Sequence, residues 1–229
     1  NVQFHNISIT GRDSVGETRE LAVGHGPFMP VEIAFNGQHY TENRRLLEFV
    51  EPLSLSTIWP THGPNSGGTL ITLTVSRVQR TLSSLLTYDV RCLFGPAEVP
   101  ARFTSDTTVQ CTTPPHIAMQ GGETAVRLTL NNQEISDDSL VFTHDPATNA
   151  LLLAPTFGTL NGGTIVNITG SSIVARNCTG FCAFDDDVVP ADLCADGIMT
   201  CHTPAQSFAK KAGVTFSLNG IDYVNNTDL

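Results

Sequence analysis

Positive charge is scarce in this chain. Lys and Arg together number 12 against 22 Asp and Glu, for a formal net charge of −10. Phosphate binding needs a clustered basic face, so nucleic acid is not expected as a partner. A polybasic anchor on an anionic membrane surface is disfavoured for the same reason. Long apolar runs are lacking too. The longest, Ala150 to Ala154, is far short of the ~18 residues that span a bilayer, so no direct membrane insertion of this stretch is expected. Asn1-Val2-Gln3-Phe4-His5 forms neither a basic nor a long apolar region, which argues against a signal peptide. Aromatic platforms for sugar stacking are poorly supplied, with one Trp and three Tyr. Trp59 stands beside Pro60 and is expected to pack there.

Catalytic signatures are equally thin. The chain has no G-x-S-x-G, no H-E-x-x-H and no phosphate loop ending in Gly-Lys-Ser/Thr. Gly67-Gly68 and Gly162-Gly163 are not followed by Lys and read as turn residues. The histidines are scattered and read as surface or loop residues. His62 and His202 become Phe157 and Thr112 in the matching parts of the chain. No enzyme activity and no cofactor are expected.

What is abundant is Gly, Thr, Ser, Asn and Val, with 40% hydrophobic residues and only 15% charged. That mix suits short strands joined by turns. Its arrangement is repetitive. Cys182–Pro204 overlays Cys92–Pro114 without a gap, bringing together Cys92 with Cys182, Phe94 with Phe184, Val99-Pro100 with Val189-Pro190 and Cys111 with Cys201. Self-similarity at a fixed spacing marks a repeated structural unit. Two further landmarks repeat in step. Pro60–Thr69 matches Pro155–Thr164, and each runs through Gly-Gly-Thr into an alternating strand, Leu70–Val75 or Ile165–Thr169. Period two puts Ile71, Leu73 and Val75 on one face, and Val166 and Ile168 on the matching one. Val126–Ile135 matches Val214–Tyr223, and the pattern occurs once more at Val31–Tyr40. Each reads as a hairpin with a two-residue Asn-Asn or Asn-Gly turn. Val141-Phe142 and Glu48-Phe49 read as closing strands.

The parse is three units. Residues 1–51 are the C-terminal part of one unit, 52–145 a complete unit, and 146–229 a unit whose last strand is incomplete. The register of residues 1–30 stays open. No Ser/Gly-rich linker separates the units, so restricted bending is expected. The pattern reads as a piece of a longer array.

Taken in order, Pro, Gly-Gly-Thr, alternating strand, Cys-x-Phe, Cys-x-Thr-Pro and the Asn hairpin resemble the IPT/TIG domain. This immunoglobulin-like family occurs in plexins, Met-type receptors, fibrocystin-like proteins and some transcription factors. The resemblance implies an all-β chain of tandem immunoglobulin-like β-sandwiches. The many short strands and turn signals point to the same class independently. The family does not fix a function, because a fold hosts many activities.

The overlay suggests disulfides Cys92–Cys111 and Cys182–Cys201, leaving Cys178–Cys194 as a third. A four-thiolate zinc site at Cys178, Cys182, Cys194 and Cys201 is the competing reading. It is disfavoured because the equivalent unit keeps only two of the four. Paired cysteines imply an oxidising compartment, which makes the chain extracellular or cell-surface. Asn6, Asn167, Asn177 and Asn225 fit N-x-S/T and are candidate glycan acceptors. Asn167 should lie on the outward face of its strand. Asp185, Asp186 and Asp187 are a weak Ca²⁺ candidate; the overlay replaces them with Gly95, Pro96 and Ala97, which favours a solvated turn.

The functional expectation is a non-enzymatic structural or adhesive segment, a stiff array contacting other proteins or copies of itself in a filament or coat. The alternative is a ligand- or carbohydrate-binding accessory module of a larger receptor or enzyme.

Overall fold

Short runs of β-branched and aromatic residues bounded by Gly, Pro and Asn dictate extended local structure. In the computed structural model every regular element among the described residues is accordingly a β-strand. The structure describes residues 11–12, 18–19, 28–34, 36, 38–43, 45–48, 53–76, 88–116, 122–147, 150–171, 173, 179–195 and 197–224. The chain divides into two compact units, Asn1–Glu51 and Pro52–Leu229.

In the first unit β1 (Gly11–Arg12) pairs with β2 (Thr18–Arg19), and β3 (Phe28–Val31) with β4 (Arg45–Glu48), both antiparallel. Leu47 lies opposite Met29. Leu47 therefore holds the closing-strand position that the sequence suggested for Phe49, which lies outside the described residues.

The second unit contains two sandwiches. The first comprises β5 (Leu55–Trp59), β6 (His62–Pro64), β7 (Leu70–Val75), β8 (Arg91–Phe94), β9 (Ala97–Phe103), β10 (Thr108–Thr112), β11 (Gly122–Thr129) and β12 (Leu140–Asp145). Their order is β5-β7-β10-β9-β8-β11-β12-β6. β9 serves both faces: its start pairs with β8 up to Pro100, and Ala101 onward pairs with β10. Proline lacks an N–H and suits the corner where one ladder ends and the next begins.

The second sandwich comprises β13 (Ala150–Ala154), β14 (Ile165–Gly170), β15 (Phe181–Phe184), β16 (Asp187–Ala195), β17 (Ile198–His202), β18 (Val214–Ser217) and β19 (Tyr223–Val224). Their order is β13-β14-β17-β16-β15-β18-β19. β16 turns the same corner at Pro190. The expected fold, all-β with tandem immunoglobulin-like sandwiches, is the observed one.

Alternation sets the cores. Ile71, Leu73 and Val75 are buried, as are Val166 and Ile168, against Phe94, Phe142 and Leu128 in one sandwich and Phe184 and Phe216 in the other. Each core is crossed by a disulfide, Cys92–Cys111 from β8 to β10 and Cys182–Cys201 from β15 to β17. Cys194 is also disulfide-bonded; the expected Cys178–Cys194 pairing involves Cys178, outside the described residues. The four-thiolate zinc reading fails here, because Cys182 and Cys201 are spent on each other.

The cores differ by a compensating exchange. Val90 and Val109 pack in the first; their counterparts are Gly180 and Met199. A Cβ on Gly180 would lie 2.5 Å from Met199 Cε and 3.0 Å from the Ser217 carbonyl oxygen. The longer Met fills the space that the smaller neighbour leaves, conserving core volume.

Two expectations need correction. The hairpins do not close through two-residue turns. Their loops run over residues 130–134 and 218–222, between the pairs Thr129↔Ile135 and Ser217↔Tyr223. The physical reason is the Asn side chain, which caps the loop itself, as described below. Trp59 does not pack inward and is 58% exposed. It ends the edge strand β5, where Ile58 takes the core-facing position and period two turns Trp59 outward.

Candidate functional site

The hairpin loop occurs three times with one hydrogen-bond plan. Asn36 Oδ1 accepts the Gln38 and His39 N–H groups at 3.0 and 2.9 Å. Asn131 Oδ1 accepts those of Gln133 and Glu134 at 3.1 and 3.0 Å. Asn219 Oδ1 accepts those of Ile221 and Asp222 at 3.0 and 2.9 Å. These are Asx turns, in which the side-chain oxygen stands in for a backbone acceptor. The plan consumes the oxygen and leaves the amide N–H groups for other partners.

At Asn219 those N–H groups cross to the neighbouring sandwich. Asn219 Nδ2 donates to the His62 carbonyl oxygen at 2.9 Å and to Asp222 Oδ2 at 2.7 Å. Asp222 Oδ2 also accepts the Thr69 hydroxyl at 2.7 Å. Asn219 is 6% exposed and Thr69 is wholly buried. The second sandwich therefore holds the first through a series of bonds, carbonyl to amide, amide to carboxylate and carboxylate to hydroxyl. A hydrogen bond to a charged group at a buried site is worth about 1.5–3 kcal/mol.

The receiving loop is built to fit. β6 is held by parallel pairing to β12, with His62 opposite Thr143 and Pro64 opposite Asp145. His62 Nδ1 donates to Asp145 Oδ2 at 2.5 Å, and both side chains are buried. The Asn65 N–H bonds the Asp145 carbonyl oxygen at 2.8 Å. Only glycine can occupy position 63, since a Cβ there would lie 2.2 Å from Thr69 Oγ1. Asp145 thus ties the exit of the first sandwich to the loop that grips the second.

Beside it lies an aromatic stack. His144 is 2% exposed. Its ring stacks on His116 at 4.4 Å and meets Phe142 edge-on at 5.1 Å. Burial pushes the His144 imidazole below its ordinary value; His116 adds to this and Asp145 opposes it. His144 Nδ1 and Asp145 Oδ1 are buried with no hydrogen-bond partner among the described residues. The sequence placed the histidines at the surface or in loops, and for His62 and His144 the structure corrects this. No motif marks them, because their burial comes from β6 and β12 meeting across 83 positions of chain. The Thr-to-Asp bond across the junction was likewise not foreseen. Its one sequence trace is the Thr that follows Gly-Gly in each unit.

The residues singled out from sequence fall elsewhere. Asp185 sits at φ +54 in the β15–β16 turn. Its carboxylate accepts Lys210 Nζ at 2.7 Å and the Gly213 N–H at 2.8 Å. The Lys210 bond, then the Gly213 bond, hold this carboxyl below its usual range, and the same ion pair raises the Lys210 ammonium. Asp187 accepts Gln206 Nε2 at 2.8 Å, and Asp186 is exposed. No group of three or more His, Cys, Asp or Glu side chains placed to hold a metal occurs among the described residues. Asn167 is exposed on β14 and accepts the Thr200 hydroxyl at 2.8 Å. Asn6, Asn177 and Asn225 lie outside the described residues. His202 pairs with Asp192 at 2.7 Å, and both are half-exposed; its neighbour Cys201 is in a disulfide and offers no thiol. Among the described residues no helix is long and apolar enough to cross a membrane.

A family model described as the IPT/TIG domain matches residues 53–144 and 146–229. Plexin A3 of Danio rerio is 26% identical over 211 residues, which cover 89% of this chain and 11% of that protein. Plexin-A3 of Homo sapiens is 26% identical over 173 residues, 72% of this chain and 9% of that one. Fibrocystin-L of Mus musculus is 27% identical over 138 residues, 59% of this chain and 3% of the relative. The full extracellular region of plexin A4 superposes with a TM-score of 0.53 at 18% identity, over 80% of this chain and 16% of that structure. The chain thus spans about a tenth of the length of the plexins it matches.

Proposed function

The chain belongs to the IPT/TIG domain family, and from that premise we propose that it is a non-enzymatic spacer-and-contact segment of an extracellular or cell-surface protein. Its task is to hold successive sandwiches in one mutual orientation and to present their faces to partner proteins. The carrying observation is the junction, where Asn219 and Asp222 bond His62 and Thr69 at 2.9 and 2.7 Å. A spacer needs no more chemistry than this: a short connection, an acceptor loop with no room for bending, and polar groups satisfied only in one arrangement. Disulfides across both cores suit an oxidising compartment, and the extracellular region of plexin A4 shares the fold.

Residual dipolar couplings of the isotopically labelled chain test the stiffness. One alignment tensor fitting both sandwiches of residues 52–229 is the expected result. Two tensors of different magnitude would mean independent tumbling and would overturn the spacer reading. Association of copies into a filament or coat is the finer form of the proposal. Sedimentation velocity over a wide concentration range decides it, and a monomer throughout would remove that form. Glycan-array binding above background would instead favour the accessory-module alternative.

A further inference from the structure

The sheet β13-β14-β17-β16 turns Val166, Ile168, Met199 and Cys201 into the core of the second sandwich. Period two sends the alternate side chains outward. Asn167 stands on that outer face, exposed, between Ala154 of β13 and Thr200 of β17. Asn167-Ile168-Thr169 fits N-x-S/T, and Thr169 is exposed on the same face. The Thr200 hydroxyl donates to Asn167 Oδ1 at 2.8 Å. That bond uses the amide oxygen and not the nitrogen that would carry a sugar.

Strand register aligns Asn167 with Thr72 of the first sandwich. Thr72 lies between Trp59 and Gln110, and Gln110 Nε2 donates to its hydroxyl at 3.3 Å. The corresponding neighbours of Asn167 are Ala154 and Thr200. Two large side chains are thus replaced by small ones beside the acceptor. The next positions out change in the opposite sense. Thr57, Arg102 and Thr108 become Leu152, Leu193 and Ile198. With Ile165, these apolar side chains are 40% to 60% exposed.

An apolar patch of this kind needs a cover. A protein interface has an apolar centre and a polar rim, and this face has the reverse: Asn167, Thr169 and Thr200 inside, Leu and Ile outside. The first sugars of an N-linked glycan reverse it too, being tethered at the polar centre and laying C–H faces and acetyl methyls on what surrounds it. We propose that Asn167 carries an N-linked glycan whose first sugars pack on Leu152, Ile165, Leu193 and Ile198 and cover this face. The bond forms between Asn167 Nδ2 and C1 of the first sugar. The C1–O bond to a lipid-diphosphate-linked oligosaccharide donor breaks, the diphosphate leaves with the electron pair, and the nitrogen releases one proton. The inference rests on the extracellular placement of the chain and not on the junction. A bulky, hydrophilic glycan here withdraws the face from protein contact and leaves partner binding to other faces.

The test uses the full chain secreted from eukaryotic cells. Release of glycans by an amidase that converts each occupied Asn to Asp, followed by peptide mass mapping, should find Asp at position 167. Thr169→Ser should keep the modification and Thr169→Ala should lose it. Binding of a hydrophobic dye should rise about twofold on deglycosylation of the folded chain and in Asn167→Gln. Adding Leu193→Thr and Ile198→Thr to Asn167→Gln should return it to the glycosylated level. A secreted chain with Asn167 bare would overturn the proposal while leaving the extracellular placement intact. Dye binding that is equal with and without the glycan, or a rise that the Thr replacements leave unchanged, would overturn the covering role. A bare chain that dimerises in sedimentation, and ceases to do so with Leu193→Thr and Ile198→Thr, would give the face to a second copy and would also overturn it.

Discussion

Thr69 and Asp222 are 153 positions apart and meet at 2.7 Å, so their bond measures the junction directly. Thr69→Val removes the hydroxyl while keeping the branched shape against Gly63 and Phe142. Asp222 then keeps Asn219 Nδ2 as a donor but loses half its support at a half-buried site. The expected loss is about 1.5–3 kcal/mol, the range for hydrogen bonds to charged groups. Asp222→Ala removes the charge and both acceptor oxygens, and should cost about 1.5–3 kcal/mol. Because both changes break one bond, the double variant should fall short of additivity by about 1–2 kcal/mol. Among the described residues the counterpart Thr164 hydroxyl accepts the Thr159 N–H, at 3.3 Å on an exposed loop, so Thr164→Val should cost less than about 1 kcal/mol. Urea unfolding of the whole chain, followed by circular dichroism and by fluorescence of Trp59 next to the junction, reads all four. Additivity within about 0.3–0.5 kcal/mol would refute the coupling. A Thr164→Val loss as large as that of Thr69→Val would refute the claim that the junction is the cause.

Three further outcomes follow from the packing and the titrating groups. Gly180→Val should destabilise the second sandwich by about 1–3 kcal/mol through overpacking against Met199; adding Met199→Val should recover part of the loss, and a double variant worse than the sum would contradict the exchange with Val90 and Val109. Replacing Cys182 and Cys201 by Ser should cost about 3 kcal/mol for a loop with a sequence separation of 19, measured by thermal unfolding against the same change at Cys92 and Cys111. Burial lowers the folded-state His144 pKa beneath its ordinary 6.5, so the unfolded chain binds that proton more tightly. Stability from this group is full above 6.5 and declines as pH falls below it; His144→Phe should flatten that slope in melts taken across the window, and an unchanged slope would exclude His144 as its source.

The architecture was legible before any coordinates because its signals are local and repeated. Alternation at Ile71, Leu73 and Val75 names a buried face within one strand, since side chains on a strand alternate whatever it pairs with. Repetition then supplied what a single copy could not. The overlay of Cys92–Pro114 on Cys182–Pro204 aligned the corners at Pro100 and Pro190 and reduced the cysteine pairings to one choice. Local polarity also misled. Trp59 reads from the sequence as packing beside Pro60, but the edge position of β5 turns it outward, 58% exposed. The Asn hairpins looked like two-residue turns because the sequence shows which residue makes the turn but not that its side-chain oxygen caps two further N–H groups.

The junction was decided only in three dimensions. His62, Thr69, Asp145, Asn219 and Asp222 are ordinary polar residues, and each alone reads as loop or surface. Their meaning comes from the parallel seating of β6 on β12 and from the loop of 218–222 reaching the preceding sandwich. Hydrogen bonds between residues so far apart in sequence leave no period and no spacing to read, because the distance along the chain is set by the fold lying between them. The sequence determined that this chain is a row of stapled sandwiches. The tertiary structure decided that two of them are joined by a chain of polar bonds running from the His62 carbonyl through Asn219 and Asp222 to Thr69.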